Sequence, residues 1–319
     1  MSQYANDLLP QGGWDTAYRY LQTKHDLMPM WIPSDWRELA LTDGAGITLS
    51  CQMNRDMWAY RIKLNCIAQM GEELGEQMVA QPPLYLEYRI SVNGMPVSGW
   101  IDAYMREGGY DKVGLGAGFI VPQGKAVTVD VRRVGALAQG AEAFEHYLLQ
   151  LTVEGCELYP PNAGFYEHGQ QNQILDDWQQ KNVLRPMWYS DRGTLDLNTA
   201  GTRVALRTET DNDPFLLNRI QFITYPDFPV AQFIPPLYEI PADAHIYIDN
   251  RPLNDHREAV ACSAWGGVPL FENHIMRVPL LIPPRSRIFA HTGGWPWTLE
   301  KTVQVAVILG GHKIIASEG

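Results

Sequence analysis

The stretch DLMPMWIPSDW, Asp26 to Trp36, returns in altered form as VLRPMWYSDRG, Val183 to Gly193. Both contain a leucine, one variable residue and then Pro-Met-Trp, and Pro29 and Pro186 stand 157 positions apart in a chain of 319 residues. A single shared pentapeptide is weak, so the test is whether other landmarks recur in the same order at a similar offset. Arg61-Ile62-Lys63-Leu64 answers to Arg219-Ile220-Gln221-Phe222, and Pro82-Pro83-Leu84-Tyr85 is identical to Pro235-Pro236-Leu237-Tyr238. Ile90 to Val97 aligns without a gap on Ile246 to Leu253, Ile120-Val121-Pro122 on Leu281-Ile282-Pro283, and Leu149 to Gly155 on Val305 to Gly311. The sequence therefore reads as two copies of one domain. Residues 1–19 form an N-terminal arm, 20–160 the first copy, 161–175 a linker rich in residues that interrupt regular structure, and 176–319 the second copy.

Within each copy the apolar residues alternate. Leu84, Leu86, Tyr88, Ile90 and Val92 share one parity while Tyr85, Glu87 and Arg89 share the other, which is the pattern of a half-buried strand. Val127, Val129 and Val131 repeat it, as do Leu149, Leu151 and Val153, and Val303, Val305, Val307 and Leu309. Asn93-Gly94 and Asp249-Asn250 fall between such runs and suit the positive φ of tight hairpin turns. The expected fold is all-β: two tandem homologous antiparallel β-sandwiches of jelly-roll kind. A short helix is expected before each, because Ala17 and Leu21, and likewise Ile174 and Trp178, are spaced i, i+4 ahead of the Pro-Met-Trp. Pro29 and Pro186 are expected to help stop those helices, with Met and Trp as an apolar plug where each domain is entered.

The formal net charge is −11, and acidic residues exceed basic ones by seven in residues 1–160 and by four in the remainder. Neither half offers a basic face for phosphates, so direct nucleic-acid binding is not expected. No run long and apolar enough to span a membrane occurs, and MSQYANDLLPQGGWD lacks the basic start and apolar stretch of a signal peptide, so synthesis in a cytoplasm is expected. Cys51, Cys66, Cys156 and Cys262 show no C-x-x-C spacing and do not recur between the copies, which marks them as small reduced core or edge residues.

A search for chemistry finds little. His245, His256 and His274 lie near Asp249, Asp255 and Glu258, but the His-x-His of a cupin metal site is missing, since Ile246-Tyr247 follows His245. No Gly-x-Ser-x-Gly elbow is present, and Gly114-Leu115-Gly116-Ala117-Gly118 lacks the Gly-Lys-Ser/Thr ending of a phosphate loop and reads as a flexible or close-packed loop. Glu72-Glu73 and Asp176-Asp177 read as solvated pairs. No catalytic, cofactor or metal residues are assigned, and a non-enzyme is expected. The ten tryptophans stand out. Trp265, in Ala264-Trp265-Gly266-Gly267, and Trp295 and Trp297, in Gly293-Gly294-Trp295-Pro296-Trp297, are the candidate subunit or receptor contacts, because flanking glycine lets a large ring project from a turn.

A repeated β-sandwich with an acidic balance, reduced cysteines and no catalytic set resembles, in architecture and without a family motif, a bacteriophage virion structural protein of tandem jelly-roll type. That resemblance implies a capsid, capsid-decorating or tail or collar component located in the virion, with itself and other virion proteins as partners. Two similar domains per chain would turn a trimer into a pseudo-hexamer. The alternative is a tandem carbohydrate- or receptor-binding module in which the three tryptophans stack on a host glycan, and the third is a cupin-like β-barrel enzyme.

Overall fold

Alternation sets the sheets. Leu86, Tyr88, Ile90 and Val92 are buried, as are Val127, Val129 and Val131, Leu149, Leu151 and Val153, and Val303, Val305, Val307 and Leu309. The computed structural model describes residues 13–40, 42, 44–70, 78–79, 84–105, 113–134, 144–161, 183–225, 243–254, 258–265, 276, 278–294, 298 and 302–315. The first strands are β1 (Asp26–Pro33), β2 (Arg37–Glu38), β3 (Gly46–Gln52), β4 (Met57–Met70), β5 (Met78–Val79), β6 (Leu84–Val92), β7 (Met95–Pro96), β8 (Ile101–Met105), β9 (Val113–Val121), β10 (Ala126–Arg133) and β11 (Phe144–Tyr159). Then come β12 (Val183–Asp196), β13 (Arg203–Glu209), β14 (Phe215–Tyr225), β15 (Asp243–Ile248), β16 (Arg251–Pro252), β17 (Val260–Ala261), β18 (Leu280–Ile282), β19 (Arg287–Gly293) and β20 (Thr302–Ile315).

Strands β1, β11, β4 and β9 make one sheet in that order, and β3, β10, β6 and β8 the sheet facing it. Taking these eight strands in chain order, the sheets run first–eighth–third–sixth and second–seventh–fourth–fifth, which is the jelly roll. Strands β12, β20, β14 and β18, facing β13, β19, β15 and β17, give the same order. The fold class is therefore all-β, an antiparallel sandwich of jelly-roll type. Met30, Ile32, Leu49, Ala59, Ile62, Ile90, Val129 and Leu151 fill the first sandwich, and Leu206, Phe215, Ile220, Ile246, Ala290 and Val307 the second.

Local details also match. Asn93 and Gly94 have φ of 53° and 77°, and Asp249 and Asn250 have 47° and 68°, so both hairpins close through two-residue left-handed turns. Trp31 faces Glu154 across β1 and β11, and Trp188 faces Gly310 across β12 and β20. Both third strands carry a bulge at the same place. Register slips between Glu154 and Gly155, leaving Tyr60 unpaired, and between Leu217 and Arg219, leaving Asn218 unpaired. Each bulge switches which residues face inward, from Met57 and Ala59 to Ile62, and from Phe215 and Leu217 to Ile220. Opposite the bulges sit Gly155 and Gly311, where an added Cβ would collide with the carbonyl oxygens of Trp58 and Leu216.

Three expectations are corrected. The helix α1 (Trp14–Gln22) forms with Ala17 and Leu21 fully buried against Leu27, Trp58 and Leu158, but it ends at Thr23, well before Pro29. Pro29 instead lies inside β1, on an edge strand, where the missing N–H does no harm. α1 also runs across the expected boundary at residue 19. The glycine run Gly114 to Gly118 is not a loop but part of β9, and an added Cβ at Gly118 would strike the Trp58 indole, whose N–H donates to the Ala117 carbonyl at 2.8 Å. The helix expected around Ile174 and Trp178, and the linker 162–175, lie outside the described residues. Cys51, Cys66, Cys156 and Cys262 are buried thiols, none of them in a disulfide, and burial pushes the Cys66 thiol well above its ordinary value.

The bulge glycines provide a direct check. Gly155→Ala or Gly311→Ala should lower stability by about 1–3 kcal/mol, because an extra methyl group must displace backbone. Gly99→Ala, with open space around its Cα, should change it little; urea unfolding compares the three.

Candidate functional site

The outer face of the first sandwich carries alternating polar residues on β4 and β11: Arg61, Lys63 and Asn65, and Gln150, Thr152 and Glu154. An isolated sandwich would hold these in water. Here Lys63, Asn65, Gln150, Thr152 and Glu154 are buried, because the second sandwich lies over them. The Arg61 guanidinium meets the Glu154 carboxylate at 2.8 Å, with both side chains nearly enclosed. Asn65 donates to the Thr152 hydroxyl at 3.0 Å and to the Gln150 carbonyl at 3.3 Å. Such groups are tolerated away from water because they are paired.

Gln150 reaches across to the second sandwich. Its side-chain amide donates to the Ala259 carbonyl at 2.9 Å and accepts from the Ala261 N–H at 2.8 Å, so one side chain acts as a short strand beside β17. Beside it Trp31 packs on Trp265, ring centroids 4.6 Å apart and planes inclined by 43°. The Trp31 N–H donates to the Leu253 carbonyl at 3.0 Å, and Trp31 forms a single parallel bridge with Asn254. The Trp265 indole N–H donates to the Ala244 carbonyl at 3.3 Å. A cavity of about 10 Å³ in this contact is lined by Trp31, Arg61, Lys63, Thr152, Glu154 and Ala264. It holds at most one water molecule.

Trp265 was expected on a projecting turn. It is fully buried, in the short helix Cys262–Trp265, and cannot stack on a sugar ring; its partner is Trp31 of the same chain. Trp295 and Trp297 lie outside the described residues, as do His256 and His274. His245 brings Nδ1 to 2.9 Å from the Asn254 amide nitrogen, inside a hydrogen-bonded hairpin. Among the described residues no group of three or more His, Cys, Asp or Glu is placed to hold a metal, and no helix is long and apolar enough to cross a membrane. Trp31 carries the site together with Gln150, and sequence reading missed Gln150. Its one signal was a glutamine between Leu149 and Leu151 on a strand long enough to cross a whole sheet.

The matching tryptophan of the second sandwich behaves differently. Trp188 is 51% exposed on the edge strand β12, its ring lying where a Cβ on Gly310 would be, with the Arg219 guanidinium 5.2 Å from the ring centroid.

No protein-family model matches the chain, and no curated protein matches it. Solved structures similar to it include one of the triple jelly-roll fold and turret assembly in an archaeal virus, at 10% identity and TM-score 0.23 over 89% of this chain and 60% of that one. The chain thus spans under two thirds of that protein's length. The PBCV-1 virus capsid is similar at 9% identity and TM-score 0.24, over 92% of this chain and 95% of that one. Peptide N-glycanase F is similar at 10% identity and TM-score 0.22, over 89% and 95%. Viral capsid proteins are thus among the structural neighbours, but likenesses this weak identify neither a family nor an activity.

The contact yields two expectations. Trp31→Ala should cost about 3–5 kcal/mol, the usual loss for a buried tryptophan. Gln150→Leu should cost about 1–3 kcal/mol by leaving the Ala259 carbonyl and the Ala261 N–H without a partner. Chemical denaturation followed by tryptophan fluorescence reads both.

Proposed function

We propose that this chain is a non-enzymatic virion structural protein of a bacteriophage, a capsid, capsid-decorating or tail or collar component that acts by assembling with copies of itself and with other virion proteins. We further propose that it is two copies of one domain, about residues 20–160 and 176–319. The observation that carries the reading is the burial of one jelly roll's outer sheet face by a second jelly roll of the same strand order. A surface that would ordinarily meet solvent is enclosed where the sandwiches join, with Arg61 paired to Glu154 and Asn65 to Thr152 beneath it and Gln150 bonded across it.

One observation favours the second reading, a carbohydrate- or receptor-binding module. Trp188 is half exposed beside Arg219, and an accessible tryptophan ring is the kind of surface sugars stack on. Trp295 and Trp297 stay in the proposal as contacts to a neighbouring subunit or receptor. Electron microscopy and mass measurement on the purified protein separate the readings. Rings, shells or tubes are the expected result. A monomer at all concentrations that binds a glycan with loss on Trp188→Ala would favour the module, and stoichiometric metal in the purified protein would overturn the non-enzymatic assignment.

A further inference from the structure

The joint inside the chain has two halves, a donor edge and a receiving hairpin, and each sandwich contains a counterpart of both. The donor is β1, whose Trp31 N–H reaches the Leu253 carbonyl. Its counterpart is β12, where Trp188 faces Gly310 as Trp31 faces Glu154. β12 is an edge strand, with no strand on its outer side among the described residues.

The receiver is the segment after the β15–β16 hairpin. There the Leu253 N–H donates to the Ile246 carbonyl at 2.8 Å and the Ile246 N–H to the Asn254 side chain at 3.2 Å. After the β6–β7 hairpin the same pair of bonds recurs: the Val97 N–H donates to the Ile90 carbonyl at 2.9 Å, and the Ile90 N–H to the Ser98 hydroxyl at 2.9 Å. Val97 and Ser98 therefore hold the places of Leu253 and Asn254. Exposure is where the copies part. Trp31 and Leu253 are buried at 1% and 0%, whereas Trp188 and Val97 are 51% and 41% exposed. The exposed large hydrophobic residues of the described chain are Met95, Val97, Trp100 and Trp188, all of them at the unused donor or the unused receiver.

We propose that the Trp188 edge of one copy docks on the Met95–Trp100 segment of a second copy, repeating between chains the contact that Trp31 makes with Leu253 and Asn254 inside one. Trp188 takes the Val97 carbonyl through its N–H and faces Ser98, and its ring covers Val97 and Met95. The contact is head to tail, so each added copy presents a fresh donor and a fresh receiver, and the chain of contacts closes into a ring or continues as a filament. The two halves lie on different sandwiches, with the receiver on the first and the donor on the second. This rests on the assembly reading and names the surfaces that would carry it.

The test compares wild type, Trp188→Ala and Val97→Asp by sedimentation velocity across a concentration series, with thermal melting of dilute samples as a check on folding. Each substitution should raise the concentration needed for assembly about tenfold or more, the effect of losing an interfacial anchor, with melting unchanged. A second measurement does not depend on those variants. Trp31 and Asn254 are bridge partners, so Trp188→Cys and Ser98→Cys on separate copies should come within disulfide range. Under mild oxidation, at a concentration at least about a hundredfold above that needed for wild-type assembly so as to offset the lost ring, a mixture of the two should give cross-linked heterodimers, and neither variant alone should cross-link. Cross-linking of Trp188→Cys with itself, or none in the mixture, overturns the proposal. Wild-type assembly that persists unchanged in both point variants also overturns it while leaving the assembly function standing. A wild type that remains monomeric throughout removes both.

Discussion

The structure depends on hiding a polar sheet face. Arg61, Lys63, Asn65, Gln150, Thr152 and Glu154 alternate with core residues on two strands, and burying such a row is unfavourable unless each group finds a partner. They find partners partly among themselves, as in Arg61 with Glu154 and Asn65 with Thr152, and partly across the joint, as when Gln150 spans Ala259 and Ala261. The apolar contribution comes from Trp31 on Trp265, set beside that row. Hydrogen bonds specify how the two sandwiches meet, and the packed rings supply area removed from water.

Both sandwiches reach the same strand order by the same local devices. A two-residue left-handed turn closes each fourth-strand hairpin, a bulge shifts each third strand, and a glycine opposite each bulge lets the backbones approach. What differs is what covers the outside. α1 lies over Trp58 and Tyr60 on the first sandwich. At the corresponding strand of the second, Leu216 packs with Leu281 and Ile314.

Much of this was legible in the sequence, because alternation is local. Leu149, Leu151 and Val153 face a core whatever lies on the other side of the sheet, Asn93-Gly94 demands its turn, and Ala17 and Leu21 share a helix face. The joint was not legible for the same reason. Period-two patterning says that Gln150 and Thr152 point away from their own core, and it does not say whether they then meet water or another domain. Trp265 was misread because glycines after a tryptophan permit projection without requiring it, and the ring found Trp31 instead. The Pro-Met-Trp was seen but given the wrong role. Met30 enters its own core, while Trp31, on the opposite parity, belongs to the neighbour's.

The prolines of β1 have a consequence for how far this edge can be zippered. The Trp31 N–H points outward from β11 to Leu253, so by strand parity the nitrogens of Pro29 and Pro33 point outward too, and neither carries hydrogen. Between them the strand offers one donor, already taken. A neighbouring chain that added a full strand there would lose two of the three rungs donated from this edge, because only Trp31 has a hydrogen to give. An edge so furnished favours the register that uses its single donor, and stray strand addition, the usual hazard of a sheet margin, is discouraged there.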